Sequence, residues 1–354
     1  MALEKNIHQT QKNADSNLEM LRQTGWPVDG GSSLPSLIMA IAVTVILIIS
    51  FVRLGLPAAT TESVHAVRTF ISGQGSSQVV DSAQRFLEQA WPPVISRERE
   101  TSRIEGFDST RLPLLSRLET RETPIISIDV VDDAIVEREV MQSHEVLVEP
   151  YGYLFRIAGL MLETFEIAIW GTLLAMALGM PLSLLGSRRT SLGPPVRYAT
   201  QALCSFSRAV PELISALFFV LLFGFGSTAG VLALGLHSAG FLGKFFADDI
   251  DNTHPGPAQA LASSGIGTIG VFRHAILPQV FPQYLAYVQY ILERNVRAAT
   301  VLGVVGAGGI GVELMGKWHN FQYGHATTVL LTIFLTVVLL EIITQRVRKT
   351  LIHH

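Results

Sequence analysis

The sequence predicts an all-α polytopic membrane protein with about six transmembrane helices, and three observations support this class. Of the 354 residues, 49% are hydrophobic and only 16% are charged, against roughly 25% charged residues in an average soluble domain. The apolar residues are grouped into runs of about 18 to 25, the length that a helix needs to cross a hydrocarbon core of about 30 Å. Basic residues follow several of these runs, as expected where a span ends in the cytoplasm.

The N-terminal part combines a polar tail, one span and a long polar segment. Residues 1–34 lack the basic start and cleavage site of a secretory signal, so we expect a cytoplasmic tail that stays in the mature protein. Residues 35–53 are predicted to form the first transmembrane helix. Residues 54–155 contain 16 acidic residues, nine arginines and no lysine, unlike the Lys/Arg-rich loops that stay in the cytoplasm. We therefore place this segment outside, with a helix over 81–90 and a short strand over 124–131.

Residues 156–346 are predicted to hold a core of five further spans. The spans expected from run length lie at about 157–186, 198–223, 230–246, 282–305 and 326–343. Arg188 and Arg189 follow the second span, and more basic residues follow the last one, which places both of these ends in the cytoplasm. Six spans with both termini inside also place the loop 248–280 inside. Residues 347–354 then form a cytoplasmic tail.

The sequence gives no sign of metal, disulfide or nucleotide chemistry. Its single cysteine, Cys204, lies in an apolar run and is interpreted as a packing residue. The ten histidines form no cluster with metal-ligand spacing, and the phosphate-binding pattern G-x-x-x-x-G-K-[ST] does not occur. We expect no catalytic residue, no metal site, no cofactor bound by this chain and no nucleic-acid partner.

A glycine run at 305–311 satisfies the pattern G-x-G-x-x-G and allows two interpretations. A dinucleotide site needs a strand before the run, a helix after it and an acidic residue about 20 positions on. Here a long apolar run precedes the glycines, and no carboxylate follows at that distance. A membrane-anchored dinucleotide oxidoreductase is therefore the less favoured alternative. Glycines at membrane depth instead permit close helix packing or a break in a helix.

A moderately polar stretch between apolar runs carries the first family resemblance. Gln259-Ala-Leu-Ala-Ser-Ser-Gly265, followed by Ala275-Ile-Leu-Pro278, resembles the "EAA" coupling loop of bacterial ABC-importer permeases. Gln259 stands where that family usually has Glu, Leu261 replaces Ala, and Ala275 replaces Ile. The resemblance implies short cytoplasmic helices that dock on an ATPase subunit. The residues it assigns to this coupling loop are Gln259, Ala260, Gly265, Leu277 and Pro278.

Two of these positions have a predicted local role. Gly265 is expected to allow a sharp turn between two short helices. Leu277-Pro278 is expected to end the second helix and begin the next span, because proline is tolerated at a helix start.

The stretch 293–311 makes the resemblance more specific. It reads Glu-Arg-Asn-Val-Arg-Ala-Ala-Thr-Val-Leu-Gly-Val-Val-Gly-Ala-Gly-Gly-Ile-Gly and resembles the signature of phosphonate ABC-importer permeases. The further matches are Glu163-Thr164, 171–174, 208–212, 230–237, Glu341 and Gln345-Arg346. The resemblance covers roughly 156–350 and implies a type I ABC importer permease fold in the bacterial cytoplasmic (inner) membrane. It also implies a homodimer, ATPase subunits that bind ATP-Mg, and a periplasmic or lipid-anchored phosphonate-binding protein.

Ionisable residues inside the predicted spans are candidates for a translocation path. Each costs about 2.5–3.5 kcal/mol at the bilayer centre, so it usually faces a partner or a cavity. Glu293 and Arg297 are four apart and can pair across one helical turn, and Glu212 is expected to neutralise Arg208 in the same way. Two interpretations stay open: pairs that only keep the helix insertable, or an Arg297 or Arg208 that faces the path. The full set of path candidates is Arg208, Glu212, Glu293, Arg297, Gly306, Gly308, Gly309 and Gly311.

Alternatives remain for the solute and for the class of protein. Within transport, the solute could be phosphite, phosphate or another small anion, or the permease could be of the methionine type. A sensor that binds a ligand through 54–155 is disfavoured because only a short tail follows the last span. The external stretch 97–150 is longer than the family norm, and the sequence assigns it no role.

Overall fold

The computed structural model describes residues 34–72, 77–104, 106–108, 112–113, 115–131 and 134–352. These residues divide into two compact units, within 1–84 and 85–354.

The first unit contains two helices that meet at a bend. Helix α1 spans Leu34–Arg53 and helix α2 spans Leu56–Ser72, with axes that differ by 65°. Gly55 lies between them with φ of +68°, a left-handed conformation that glycine adopts readily. From Leu37 onwards the large apolar side chains of α1 are exposed, as expected for a helix surrounded by lipid. Helix α1 lies where the first span is predicted.

A three-stranded antiparallel sheet precedes the helical core. Helix α3 (Gln78–Ala90) comes before the sheet. The strands of the sheet are β1 (Arg97–Glu100), β2 (Arg117–Val131) and β3 (Ala134–Glu149). The strand order is β1-β3-β2. The strand predicted over 124–131 is therefore only the second half of β2. Charged residues fill the first half, so hydrophobic alternation does not mark it, and pairing with β3 and an ion pair from Arg121 to Glu98 (2.8 Å) stabilise it.

Nine helices follow in the described part of the core. They are α4 (Gly152–Gly186), α5 (Pro194–Ala209), α6 (Glu212–Phe223), α7 (Ser227–Asn252), α8 (Pro255–Ser263), α9 (Thr268–Val271), α10 (Leu277–Leu302), α11 (Ile310–His319) and α12 (Tyr323–Ile352). Helices α4 and α7 pack along each other at the centre. Small residues allow this approach: a Cβ added at Gly171 would lie 2.9 Å from the Cβ of Leu234. Such contacts between small residues are typical of helices packed in a membrane.

A buried polar chain also connects the central helices. The Ser238 hydroxyl of α7 donates to Asn295 Oδ1 of α10 (2.9 Å), and Asn295 Nδ2 donates to the Thr172 hydroxyl of α4 (3.0 Å). All three side chains are buried. Hydrogen bonds of this kind stabilise helix association in a membrane by about 0.6–2 kcal/mol each.

The predicted third span, 198–223, is two helices rather than one. Helices α5 and α6 differ in direction by 90° across Val210 and Pro211. Proline disfavours the α conformation in the residue before it, and Val210 is accordingly extended, with φ −76° and ψ 119°. Apolar composition continues on both sides of the proline, so run length alone did not predict the bend.

Other predicted boundaries also shift. Helix α7 continues to Asn252, past the predicted end near 246, and Lys244 pairs with Asp248 across one of its last turns (2.9 Å). Asp248, Asp249 and Asp251, at the start of the predicted loop 248–280, therefore lie in the helix. Helix α10 begins before the predicted 282, so Pro282 lies inside it.

The number of spans depends on how bent helices are counted. By length and composition, three described helices are long and apolar enough to cross a membrane, namely α4, α7 and α12. The number rises to six if each of three bent pairs is one span: α1 with α2, α5 with α6, and the helix through α9 and α10 with α11. This architecture confirms the predicted helical membrane class, with the sheet as an addition to it.

A substitution at Gly240 tests the packing of α5 on α7. A Cβ added there would lie 2.7 Å from the backbone oxygen of Cys204. We expect Gly240→Leu to push the two helices apart and to lower stability by about 1–3 kcal/mol. Gly159→Leu is the matched control, because a Cβ at that helical glycine has nothing within 4 Å. Thermal unfolding of the purified variants in detergent measures the difference, and equal melting temperatures would contradict the packing.

Candidate functional site

The glycine run forms a break between α10 and α11. A 3₁₀ turn at Gly303–Val305 ends α10, and Gly306, Gly308 and Gly309 then have φ of +87°, +85° and +73°. This left-handed region is sterically costly for residues with a Cβ. A Cβ on Gly303 would lie 2.6 Å from the Cα of Gly311. The run therefore lets the end of one helix touch the start of the next.

Helix α4 supplies the hydrogen-bond acceptors that this break requires. The first N–H groups of a helix have no partner inside it. Glu163 Oε1 accepts from the Gly309 N–H (3.1 Å) and from the Ser227 hydroxyl (2.6 Å), and the Thr164 hydroxyl oxygen accepts from the Ile310 N–H (2.9 Å). In the sequence, Glu163 and Thr164 were singled out only as part of the family resemblance. Because helix α10, and no strand, precedes the glycines, the dinucleotide-site interpretation is wrong.

A charged cluster lies at the other break, next to Pro211. Arg294 of α10 donates to Glu212 Oε2 (3.3 Å) and to His237 Nε2 (2.7 Å). His237 Nδ1 lies 2.9 Å from the Val210 carbonyl oxygen, so Nδ1 carries the proton and Nε2 is the acceptor. Arg294 thus bridges two acceptors that come from different helices.

This cluster fixes the bent segment against the core. Glu212 is the first residue of α6, where the helix dipole favours a carboxylate. The Arg294 guanidinium also lies 4.7 Å from the centre of the Phe241 ring, within the range of a cation–π interaction. Helices α6, α7 and α10 are therefore held together by one guanidinium.

A cavity of about 460 Å³ adjoins the cluster. Its lining residues are Pro211, Glu212, Leu213, Arg294, Arg297, Ala298, Val301 and Leu302. Glu212 and Arg297, two of the predicted path candidates, thus face one space. Glu293 pairs with Arg297 at 2.8 Å, as the i,i+4 spacing predicts, and the Arg297 side chain remains 44% exposed.

The pairing predicted between Arg208 and Glu212 is wrong. The 90° bend at Pro211 interrupts the helix, so the two residues are not on consecutive turns, and Glu212 bonds to Arg294 instead. Arg208 is exposed and does not line the cavity. Arg294 and His237 were missed as a pair because the sequence contains no local pattern that joins them. The only available signal was the position of Arg294 inside a predicted span.

The predicted coupling segment is an exposed short helix followed by a tight turn. Helix α8 begins after His254, whose Nδ1 accepts from the Gly256 N–H (3.3 Å), and Gln259 and Ala260 on it are exposed. Gly265 has φ of +81°, so the predicted sharp turn is present there. The next span begins at Leu277 with Pro278 in its first turn, as predicted. The second short helix, α9, ends earlier, at Val271, and passes into α10 through a π-helical turn at Phe272–Ile276.

Hydrogen bonds connect the start of this segment to the end of α4. Asp251 Oδ1 accepts from the Ser187 hydroxyl (2.6 Å) and from the Arg188 N–H (2.8 Å). The Arg189 guanidinium donates to the Thr253 carbonyl oxygen (2.7 Å) and to its hydroxyl (3.0 Å). Arg188 and Arg189, which indicate the cytoplasmic end of the second predicted span, therefore also position α8.

The Arg294 cluster can be tested by a double-mutant cycle. We expect Arg294→Gln to lower stability by about 1–3 kcal/mol, because it removes the charged donor for the Glu212 carboxylate. A further Glu212→Gln exchange should restore part of this loss through a coupling energy of about 0.5–3 kcal/mol. Arg297→Gln on the same helix is the control and should cost less, since its local pair is half-exposed. Thermal unfolding in detergent measures the single variants Arg294→Gln and Glu212→Gln, their double variant and the control, and strictly additive losses would contradict the cluster.

Comparison with known proteins assigns the chain to a family. Residues 153–352 match the family described as "Binding-protein-dependent transport system inner membrane component". This range begins in the first turn of α4 and includes both breaks, the charged cluster and the coupling segment.

Three relatives give the extent of the similarity. The chain is 43% identical over 262 residues to the putative phosphite transport system permease protein HtxE of Stutzerimonas stutzeri, an alignment that covers 74% of this chain and all of that protein. It is 39% identical over 197 residues to the phosphate-import permease protein PhnE of Mycolicibacterium smegmatis (56% of this chain, 37% of that protein). It is also 39% identical over 119 residues to the putative cryptic phosphonate transport system permease protein PhnE2 of Escherichia coli K12 (34% of this chain, 98% of that protein). The family predicted from the stretches 259–278 and 293–311 is thus confirmed, and this chain belongs to the binding-protein-dependent inner membrane components of transport systems.

Proposed function

We propose that this chain is the membrane-spanning subunit of an ABC importer that carries a phosphorus oxyanion across the bacterial cytoplasmic membrane. A phosphonate, phosphite or phosphate would be the solute. The observation that carries this proposal is the 43% identity over the full length of a relative named for phosphite transport. Two further relatives are named for phosphate and for phosphonate transport, which supports the same chemical class.

The coupling segment supports a partner that hydrolyses ATP. Helix α8 is exposed, yet the Asp251 and Arg189 hydrogen bonds at its base fix it to α4. A short rigid helix of this kind can dock in a cleft of an ATPase subunit and pass on its movement. The ATP-Mg would be bound by that subunit, and this chain would supply no catalytic residue and no cofactor.

The cavity next to Pro211 supports an anionic solute. Arg294 and Arg297 place two guanidinium groups at its wall, and guanidinium matches the oxygens of phosphorus oxyanions in a bidentate geometry. Both groups are already paired with carboxylates, at 3.3 Å and 2.8 Å. Such pairing keeps their contacts with a solute weak, and a solute that must leave the site requires weak contacts.

The family resemblance supports a proposal for the rest of the assembly. We propose a homodimer with the path along its two-fold axis, two ATPase subunits inside and a phosphonate-binding protein that is periplasmic or lipid-anchored. Residues 1–34 and 347–354 would be cytoplasmic tails, and 54–155 would lie outside with the sheet. The loop 248–280 would then face the ATPase.

The turn at Gly265 gives a test of the coupling segment. Gly265→Val should move α8, because valine in a left-handed conformation costs about 1–2 kcal/mol or more. A free-energy loss of this size in the docking of α8 lowers the affinity for the ATPase subunit roughly tenfold. Gly267→Val is the matched control, since Gly267 has φ of −65° and open space around it. Co-purification in mild detergent with quantitative mass spectrometry measures the ATPase per chain, and equal recovery from both variants would contradict the docking.

The solute class can be tested in proteoliposomes that contain the complete transporter. We expect ATP-dependent uptake of labelled phosphate or methylphosphonate, and competition between phosphonate, phosphite and phosphate because they share a tetrahedral oxyanion. Methionine serves as the control solute and should neither be taken up nor compete. Uptake of methionine without uptake of any phosphorus oxyanion would contradict the proposal.

A further inference from the structure

A second polar cavity, of about 510 Å³, lies where the sheet meets the helical core. Its walls come from β1, the first turns of α4 and α12, and helix α11. It shares no lining residue with the cavity next to Pro211. In the orientation proposed above, this cavity opens on the outer side of the membrane.

Positive charge dominates the cavity. Its basic lining residues are Arg97, Arg99, Arg156 and Lys317, and its carboxylates are Glu98 and Glu313.

Existing ion pairs occupy most of these charges. Glu98 bonds to Arg121 (2.8 Å), Arg156 to Glu313 (2.9 Å) and Arg99 to Glu149 (2.7 Å).

Arg97 stands apart from these pairs. It makes no ion pair with any residue that the structure describes, and it is half-buried. Burial, together with the neighbouring guanidinium groups of Arg99 and Arg156, lowers the pKa of Arg97 from its usual range. A bound anion would relieve this repulsion.

Among the described residues, two buried donors in the same wall lack an acceptor at hydrogen-bond geometry. The Tyr153 side chain is 2% exposed, and its hydroxyl has no hydrogen-bond partner among the described residues. The Nε–H of Arg99 also has no hydrogen-bond partner among the described residues. Glu313 interacts with the Tyr153 hydroxyl without meeting hydrogen-bond geometry, and its carboxylate is bonded to Arg156 (2.9 Å). The large majority of buried side-chain polar atoms in proteins are hydrogen-bonded, so these two donors are available to an acceptor from a ligand.

From this arrangement we propose that the cavity binds a tetrahedral phosphorus oxyanion. The Arg97 guanidinium, the Arg99 Nε–H and the Tyr153 hydroxyl are its donors. Three donor groups, with the charge of Arg97 held in no ion pair among the described residues, match the several acceptor oxygens and the negative charge of such a group. The volume also leaves room for the organic substituent of a phosphonate, since small-molecule sites typically measure about 300–1,000 Å³.

The site adds an outer binding step to the proposed import and rests on that proposed function. It would hold the solute at the outer face, between release from the binding protein and entry to the cavity next to Pro211. A phospholipid head group carries the same phosphoryl chemistry and is the second source of this ligand. Either source would use the same three donors.

Binding to the chain without its partners tests the site. The wild-type protein in phosphatidylcholine nanodiscs should bind ³³P-phosphate, and methylphosphonate should compete. Loss of a charge-assisted hydrogen bond typically lowers affinity about tenfold or more, so we expect Arg97→Gln to do so. Tyr153→Phe removes only the hydroxyl and should weaken binding several-fold without a change in melting temperature. Arg103→Gln is the control, because Arg103 is 84% exposed, paired with Glu100, and outside the cavity wall.

A second arm separates the two sources of the ligand. Native mass spectrometry of the protein from phosphatidylglycerol nanodiscs counts the phospholipids that each variant retains. Phosphate binding that depends on Arg97 and Tyr153 supports a free oxyanion, and retained phosphatidylglycerol that depends on them supports a head group. Equal phosphate binding and equal lipid retention in wild type, Arg97→Gln and Tyr153→Phe would overturn the site.

The uptake assay of the complete transporter tests the importer function separately from the anion site. Uptake of phosphorus oxyanions without Arg97-dependent binding overturns the site and leaves the importer function standing. Arg97-dependent binding without uptake supports the site and counts against the importer function.

Discussion

Polar groups inside an apolar medium need partners from the protein itself, and this constraint organises the helical core. Within the helical core, two of the bent helix pairs are interrupted at Pro211 and at the glycines after α10. In both places a side chain from a neighbouring helix satisfies the exposed backbone. His237 donates to the Val210 carbonyl oxygen, while Glu163 and Thr164 accept from the N–H groups that begin α11. Without α4 and α7 beside them, neither interruption would be stable at membrane depth.

The two interruptions border one space. The cavity of about 460 Å³ has Pro211, the last residue before α6, on one side and Leu302, the last residue of α10, on the other. Arg294 crosses from α10 to the bent segment between them. The cavity that holds the charged groups therefore lies between two breaks in the helical core.

Features that depend on neighbours in sequence were predictable, and features that depend on distant ones were not. The Glu293–Arg297 pair follows from i,i+4 spacing, and the turn at Gly265 from the conformational freedom of glycine. The bond from Arg294 to Glu212 joins positions 82 residues apart, and the cap that Glu163 places on α11 joins positions 146 residues apart. No local pattern encodes such a pairing. The first half of β2 was missed for a related reason, because its partner strand and not its own periodicity defines it.

The contacts at the two ends of helix α4 restrict how many residues can be inserted or deleted between them. Its 35 residues span about 52 Å at 1.5 Å per residue, well beyond a hydrocarbon core of about 30 Å. Arg156 near one end bonds to Glu313, and Ser187 just past the other end bonds to Asp251. One inserted residue between these ends would rotate them by about 100° relative to each other and break one set of bonds. Insertions and deletions here would have to come as nearly whole helical turns, whereas the hairpin of β2 and β3 could lengthen without disturbing the core.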